Sequence, residues 1–260
     1  MLLQISSAEF RYADTIIFSD VNLDVNEGDN IGLVGANGAG KSTLLSCITG
    51  EKQLFGGNIY KKNGLTIGVL KQNCDFVSDN TLFAELLSVF AEQHKLVEEI
   101  KRVSDQMATL DYGSEEYLRL SERYHKLTVQ ADVSEAYMTE QKVKTVLSGM
   151  GMTEFADRVV STLSGGEKTK AALCKLLLLR PELLILDEPT NHLDYKTLDW
   201  LENFLSDKKS TLIVVSHDRY FLDKLCTTIW DVQHKRVTAY KGNYTKYKQL
   251  KRERIELQQK

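Results

Sequence analysis

Residues 30–43 read NIGLVGANGAGKST, an apolar run followed by a glycine-rich loop and a lysine. The leading NIGLV is typical of a buried strand, and the trailing STLLSCITG is typical of a helix. Residues 35–42 fit G-x-x-x-x-G-K-[ST], in which glycines let backbone N–H groups from Asn37 to Ser42 converge on phosphate oxygens. In such a loop Lys41 reaches the β- and γ-phosphates, and the Ser42 hydroxyl holds Mg²⁺. The stretch therefore predicts a phosphate-binding loop between a strand and a helix.

Carboxylates follow a second apolar run, LLILDE at 183–188. The run predicts a buried strand that delivers Asp187 and Glu188 at its carboxyl end, the edge where open α/β sheets bind ligands. We expect Asp187 to hold Mg²⁺ and Glu188 to orient or deprotonate an attacking water. Gln72 and His217 end two further apolar runs, where Gln72 could bridge Mg²⁺ and water and His217 could donate to the γ-phosphate. Either residue alone is more typical of an ordinary loop, and only the presence of the other motifs favours a catalytic role.

A second glycine-bearing stretch, LSGGE at 163–167, precedes a run that reads as a helix ending near Pro181. The first free N–H groups of that helix, opened by Ser164, Gly165 and Gly166, predict a second anion-binding site. One phosphate group cannot easily be held by this site and by Lys41 from a single rigid domain.

The order of segments predicts an α/β protein with a β-rich part, a helical part and a parallel sheet. Short β-rich segments separated by turn residues fill the first 35 residues, and a hairpin is expected around Lys61–Gly64. From about Thr81 the sequence pattern is that of helices. The last third alternates strands and helices, and its continuous Ile, Leu and Val runs are those of a sheet covered on both faces.

Two apolar stripes in the helical segment, separated by the turn DYGS, predict an antiparallel helical hairpin. Their spacings of three and four residues are those of one helix face. Ser114 is expected to cap the second helix. A pair of ordinary core helices is the alternative, although a narrow stripe favours a projecting hairpin. The stripes consist of Leu96, Ile100, Val103, Met107 and Leu110, and of Tyr117, Leu120, Tyr124 and Leu127.

Residues 241–260 carry seven Lys or Arg against two Glu, with Tyr244 and Tyr247 among them. Such a run is typical of a solvated helix, and it could also offer a basic surface to phosphates.

The whole chain has 260 residues and a formal net charge of −3, so bulk attraction to nucleic acid is excluded and any such contact must be local. The first residues lack the pattern of a signal peptide, and apolar runs stay well below the ~18 residues of a membrane span. We expect a cytoplasmic protein. The four cysteines, Cys47, Cys74, Cys174 and Cys226, form no CxxC pair and are expected to be small buried side chains.

Five motifs in order, GANGAGKST, Gln72, LSGGE, LLILDEP and SHD at 216–218, resemble the nucleotide-binding domain of ABC ATPases. The resemblance covers residues 1–240. It implies an ATPase with ATP and Mg²⁺ as cofactors, in which two domains pack head to tail and each LSGGE closes over ATP held by the other. The second domain would come from the same longer chain or from a homodimer. By this resemblance ATP is bound by Gly35, Asn37, Gly38, Ala39, Gly40, Lys41, Ser42 and Thr43, with Mg²⁺ at Ser42, Gln72 and Asp187. The catalytic set would be Glu188, His217 and Gln72.

The same resemblance implies that Ser164, Gly165, Gly166 and Glu167 act on ATP in trans. Asp194 would lie at the dimer seam, and Tyr12 would stack on adenine.

EPTNHLD followed by SHDRYFLD resembles the ABC-F group, whose members bind ribosomes, contacting rRNA or tRNA, and regulate translation or protect against ribosome-targeting antibiotics. Residues 88–133 resemble the arm insertion of that group, within an ATP-binding domain formed by 1–87 and 134–240. Residues 241–260 resemble the start of its interdomain linker, so we expect an N-terminal part of a longer protein. Between Glu92 and Glu135 the arm carries six Lys or Arg and ten Asp or Glu, which departs from a uniformly basic RNA-binding arm.

An ATPase motor subunit of an ABC transporter is the alternative, since it shares all five motifs, but it needs a membrane partner and gives no role to the basic tail. A small-molecule phosphotransferase is a third hypothesis, in which LSGGE would have no role.

Overall fold

The structure is a computed structural model that describes residues 1–71, 76–191, 193–207 and 210–258. Gln72, Cys74 and His192 lie outside the described residues. The strands are β1 Leu3–Tyr12, β2 Thr15–Val25, β3 Asn30–Gly35, β4 Gly56–Lys61, β5 Ile67–Leu70, β6 Leu183–Asp187, β7 Thr211–Val215, β8 Thr228–Gln233 and β9 Arg236–Lys241. The helices are α1 Lys41–Thr49, α2 Leu82–Leu87, α3 Ala91–Met107, α4 Glu115–Val133, α5 Thr139–Gly149, α6 Gly165–Leu179, α7 Tyr195–Ser206, α8 Arg219–Leu225 and α9 Tyr244–Gln258.

The chain divides into two compact units: Phe76–Leu178 forms a helical unit, and the described residues on either side of it form a sheet unit. The sheet unit holds two sheets. One has the order β2-β1-β4 and is antiparallel, and the other has the order β5-β6-β7-β3-β8-β9. Strands β5, β6, β7, β3 and β8 run parallel, and β9 is antiparallel to β8. The predicted α/β class with a β-rich part and a parallel sheet is confirmed.

The hairpin predicted around Lys61–Gly64 is wrong. Strand β4 pairs with β1 in the antiparallel sheet, whereas β5 pairs with β6 in the parallel sheet. The turn residues are present, but each flanking strand buries its apolar side chains against a different long-range partner.

One apolar cluster joins both sheets of the sheet unit to α1. Phe18 from β2, Leu33 from β3, Leu44 and Ile48 from α1, and Trp230 from β8 are all at most 1% exposed. Burial of each such side chain contributes about 1.5–3 kcal/mol. The helix that follows the glycine loop is therefore fixed rigidly against the strands that flank it.

In the helical unit, α3 and α4 form the predicted antiparallel hairpin. Ile100 and Val103 are buried, and Leu96 and Leu127 pack against the small cluster of Ile100, Ala131 and Ala136. The Ser114 hydroxyl accepts a hydrogen bond from the Tyr117 amide at 3.2 Å, which confirms the predicted cap of α4.

Helix α9 packs one face on β8 and β9 of the sheet unit. The Lys251 ammonium lies 2.7 Å from the Asp231 carboxylate on β8, and Tyr247, 4% exposed, meets the Tyr240 ring on β9 at 5.2 Å. The basic segment is therefore a docked helix, with one of its lysines used internally.

Three of the cysteines lie among the described residues, and all three are buried and free, as expected. Burial raises the pKa of the Cys47 thiol to about 11 and that of Cys226 to about 12, so both stay protonated at neutral pH.

Candidate active site

The loop between β3 and α1 closes around its own lysine. The Lys41 ammonium donates to the carbonyl oxygens of Gly35 at 2.8 Å and Ala36 at 3.1 Å. These two bonds hold the Lys41 ammonium against the loop, directly before the N-terminus of the nine-residue helix α1. Helix N-terminus, backbone amides and ammonium together make a site for a polyanion such as a phosphate chain.

Two glycines in this loop are required by the surrounding atoms. Gly40 has a φ of 106°, in the left-handed region, and a Cβ there would lie 2.6 Å from Cγ2 of Ile17. A Cβ on Gly35 would lie 2.7 Å from the carbonyl oxygen of Val232. A side chain at either position would force the loop or its neighbour on β2 or β8 to shift.

Asp187, the last residue of β6, lies beside the start of α1. The Ser42 hydroxyl donates to Asp187 Oδ2 at 3.3 Å. Burial raises the pKa of Asp187, and the hydrogen bond from Ser42 and the charge of Lys41 oppose that rise. A hydroxyl oxygen and a carboxylate oxygen at this separation are suitable ligands for Mg²⁺, which binds oxygen ligands.

Glu188 is held in a strained backbone conformation immediately after β6. Its φ is 53°, and its amide donates to the Val215 carbonyl at 2.9 Å, which ties it to the end of β7. A non-glycine residue in this region costs about 1–3 kcal/mol and is kept where the surroundings determine it. Glu188 and Asp187 lie side by side at the carboxyl end of β6 and line the same cleft.

His217 pairs with Glu188 at this edge. The His217 amide donates to Glu188 Oε2 at 3.3 Å, and His217 Nε2 lies 3.3 Å from Oε1. The glutamate side chain is 9% exposed and the histidine 66%. Burial raises the pKa of Glu188, and the neighbouring His217 opposes the rise. A raised pKa makes a carboxylate a stronger base near neutral pH, which is what general base catalysis needs.

These side chains line one cleft of about 550 Å³ in the sheet unit. Gly35 and Ala39 lie in the loop itself, and the predicted residue Gln72 lies outside the described residues. The sequence analysis did not predict Asn191, which also lines the cleft. The Asn191 amide donates to the Glu188 carbonyl at 3.3 Å. Its position three residues after Glu188 could have indicated that it lies near the site. The cleft is lined by Tyr12, Ile17, Asn37, Gly38, Gly40, Lys41, Ser42, Thr43, Asp187, Glu188, Asn191, Val215 and His217.

Tyr12 stands at the end of β1 on the rim of this cleft. The residue is 47% exposed, and its ring meets Phe10 edge to face at a centroid distance of 5.0 Å. Tyr12 is thus supported from the core and open toward the cleft.

The residues of LSGGE lie in the helical unit, at the start of α6. The Ser164 amide donates to Glu167 Oε2 at 2.7 Å, and the Ser164 hydroxyl faces the Glu167 amide at 3.5 Å. This reciprocal arrangement is a capping box. The hydrogen bond from the Ser164 amide lowers the pKa of Glu167. A Cβ on Gly165 would meet no described heavy atom within 4 Å, so a ligand could approach the backbone there.

Asp194, predicted at a dimer seam, caps α7 in this chain. Its Oδ1 accepts from the Thr197 amide at 2.7 Å, which satisfies one of the free donors of that helix. The cap fixes the carboxylate at the N-terminus of α7 whatever else it contacts.

The helices of the described residues all lack the length and hydrophobicity that a membrane span requires.

Comparison with known proteins matches the ABC transporter family model over residues 18–191. A solved structure titled as the ATP-binding subunit of an ABC transporter superposes with a TM-score of 0.68 at 21% identity, covering 93% of this chain and 90% of its own. At that identity the likeness supports the fold alone.

Three curated relatives are more similar in sequence, and each aligns over 95% of this chain. Putative ATP-binding protein YdiF of Bacillus subtilis is 40% identical, and energy-dependent translational throttle protein EttA of Mycobacterium tuberculosis is 36% identical. ABC transporter F family member 5 of Arabidopsis thaliana is 35% identical. The chain spans 38%, 43% and 36% of the length of these three proteins.

Proposed function

The chain belongs to the ABC transporter family of ATP-binding domains and is of the ABC-F type, and on that premise we propose that its cleft binds ATP with Mg²⁺ and hydrolyses the terminal phosphate. The observation that carries the proposal is the meeting of Glu188 and His217 with Lys41, Ser42 and Asp187 in one cleft. Phosphoryl transfer requires little from a protein beyond positioning and charge stabilisation, and this set offers both.

Each group has a distinct role in this proposal. Lys41 and the loop amides hold the β- and γ-phosphates, and Ser42 and Asp187 hold Mg²⁺, which neutralises charge on the phosphates when bound. Glu188 accepts a proton from the attacking water, and its burial makes it the stronger base. His217, with its exposed ring, donates toward the γ-phosphate. Gln72 is proposed as a further contact to Mg²⁺ and water.

A second domain completes the site. The Lys41 loop and the α6 N-terminus belong to different compact units, and each presents backbone N–H groups suited to binding an anion. We infer that Ser164 and the two following glycines close over ATP held by another ABC domain, with Asp194 at the seam. The curated relatives are more than twice as long as this chain, which supports a second domain in the same protein, and a homodimer would serve equally.

The biological setting is proposed from the relatives. EttA is named as a translational throttle, so we propose that the whole protein acts in the cytoplasm on the ribosome, regulating translation or protecting against ribosome-targeting antibiotics. ATP would close a head-to-tail clamp, and hydrolysis would release it. The docked helix α9 and the α3–α4 hairpin are the proposed linker start and arm.

The test compares Glu188→Gln with Glu182→Gln. Both substitutions remove a carboxylate near β6, but Glu182 pairs with Lys62 outside the cleft. Glu188→Gln should keep ATP affinity and lower turnover by about 10²–10⁴-fold, the usual size of a general base contribution. Glu182→Gln should behave as the wild type. Equal turnover in all three proteins would remove Glu188 from the proposed role.

Two further measurements address the partners. Turnover of the chain should be slow and should rise steeply with protein concentration, because each site needs a second domain; turnover independent of concentration would contradict composite sites. ATP-dependent co-sedimentation of the full-length protein with ribosomes over a range of salt tests the biological setting, and absence of binding by the full-length Glu188→Gln variant would favour a transporter motor subunit.

A further inference from the structure

We propose that Lys52 is a positioning residue for nucleotide binding, which fixes the ring of Tyr12 at the angle needed to stack on the base. The inference rests on the proposed function, since it assigns a determinant of base recognition to the same cleft. The partner chemistry is a purine nucleoside triphosphate, with the base on Tyr12 and the phosphates at Lys41.

Lys52 is delivered to this place by the end of α1. Gly50 terminates the helix with a φ of 89°, and the Lys52 amide donates to the Ser46 carbonyl at 3.1 Å. The turn sends the Lys52 side chain toward β1, where its ammonium donates to the phenol oxygen of Tyr12. Forty residues of sequence separate the two side chains, so no local pattern could have paired them.

The geometry leaves the Tyr12 ring available for stacking. Lys52 Nζ lies 4.8 Å from the centroid of the Tyr12 ring. An ammonium bonded to the phenol oxygen lies beyond the rim of the ring, so it does not cover a face. Phe10 supports the ring edge to face from the core, and Tyr12 as a residue stays about half exposed.

Lys52 links Tyr12 to the phosphate-binding helix. The hydrogen bond from Lys52 lowers the pKa of Tyr12, so the ammonium stabilises charge on the phenol oxygen. Lys52 lies in the turn after α1, the helix that begins with Lys41, so the contact connects the Tyr12 ring to the element that carries the phosphate site. A ring ordered before binding spares the entropy of immobilising it when the base stacks.

The experiment measures equilibrium binding of ATP and of inorganic triphosphate to the wild type, Lys52→Met and Lys62→Met. Lys62 is the matched control, a lysine immediately after β4 that pairs with Glu182 outside the cleft. Lys52→Met should weaken ATP binding about three- to tenfold, the effect of ordering one flexible side chain, and leave triphosphate binding unchanged. Lys62→Met should change neither. Equal weakening for both ligands would overturn the proposal, because Lys52 would then act on phosphate charge.

A double-mutant cycle with Tyr12→Phe separates positioning from other effects. Tyr12→Phe keeps the ring and removes the phenol oxygen through which Lys52 acts. Lys52→Met should therefore have less than about a twofold further effect on ATP binding in the Tyr12→Phe protein. A full effect of Lys52→Met in that background would overturn the proposal.

Failure of this inference can be told from failure of the proposed function by Lys41→Ala. If ATP binding is lost in Lys41→Ala but unchanged in Lys52→Met, the site binds nucleotide and the inference about Lys52 is wrong. If ATP binds equally to the wild type and Lys41→Ala, the proposed function is wrong and the inference falls with it.

Discussion

Replacing Lys251 with methionine should release α9 from the sheet unit. The ammonium is 2.7 Å from Asp231 and donates to the Tyr247 hydroxyl at 3.0 Å. Burial lowers the pKa of Lys251, but its bonds to Asp231 and Tyr247 outweigh that effect and leave the pKa above its usual value. The substitution keeps most of the apolar stem and removes the charge, so the Asp231 carboxylate, 5% exposed, is left buried without this partner.

The size of the effect follows from two limits. Removing one partner of a buried ion pair costs about 3–5 kcal/mol when the remaining charge stays buried. Helix α9 can instead undock and let water reach Asp231, at the cost of exposing Tyr247, about 1.5–3 kcal/mol for a large apolar side chain. The protein takes the cheaper route, so we expect a loss of about 2–3 kcal/mol. For a domain of this size, each 1 kcal/mol lowers Tm by about 2–4 °C.

Thermal unfolding and hydrogen exchange of α9 amides together measure this prediction. The control is Lys95→Met, which breaks an exposed pair with Glu92 at 2.8 Å, where the two side chains are 71% and 83% exposed. Such a pair contributes about 0–1 kcal/mol. The double variant Asp231→Leu/Lys251→Met should recover most of the stability, because no charge is left buried. If Lys251→Met lowers Tm no more than Lys95→Met does, and exchange in α9 is unchanged, the reasoning is refuted.

Three other changes test particular parts of the site. Ser164→Ala should cost about 1 kcal/mol of α6 stability, because the Glu167 amide loses its acceptor; hydrogen exchange of the first turn at the wild-type rate would contradict the cap. Since burial raises the pKa of Glu188, turnover should fall as pH drops through a value above the ordinary 4.5, where the base becomes protonated, and a kcat profile with its acid limb at 4.5 or lower would oppose this. Gly40→Ala should cost more stability and ATP affinity than Gly28→Ala, measured by denaturation and titration. Both glycines have positive φ, but a Cβ on Gly28 would meet no described heavy atom within 4 Å, so equal effects would show that the clash at Gly40 is relieved.

Local sequence predicted much of the candidate site. The loop spacing from Gly35 to Ser42, the apolar run before Asp187 and Glu188, and the run before His217 each place a polar group at the end of a buried strand. Parallel strands share one carboxyl edge, so these groups had to meet once the strands were correctly identified. The Ser114 cap and the apolar stripes of α3 and α4 could likewise be predicted from sequence, because helix caps and helix faces depend on residues three or four positions apart.

Pairings between distant segments were decided by the tertiary structure. Strands β4 and β5 read as a hairpin in sequence, yet each joins a different sheet, because the apolar partner of each strand is supplied far along the chain. The contact of Lys52 with Tyr12 and that of Lys251 with Asp231 have the same origin.

The sequence by itself thus determined the class of fold and the chemistry of the loop. Both depend on the spacing of apolar and motif residues that lie close together along the chain. Only the tertiary structure decided which sheet each short strand joins, the strained φ of Glu188 and the surroundings of Tyr12. These depend on packing between segments many residues apart, and packing is a property of the whole folded unit.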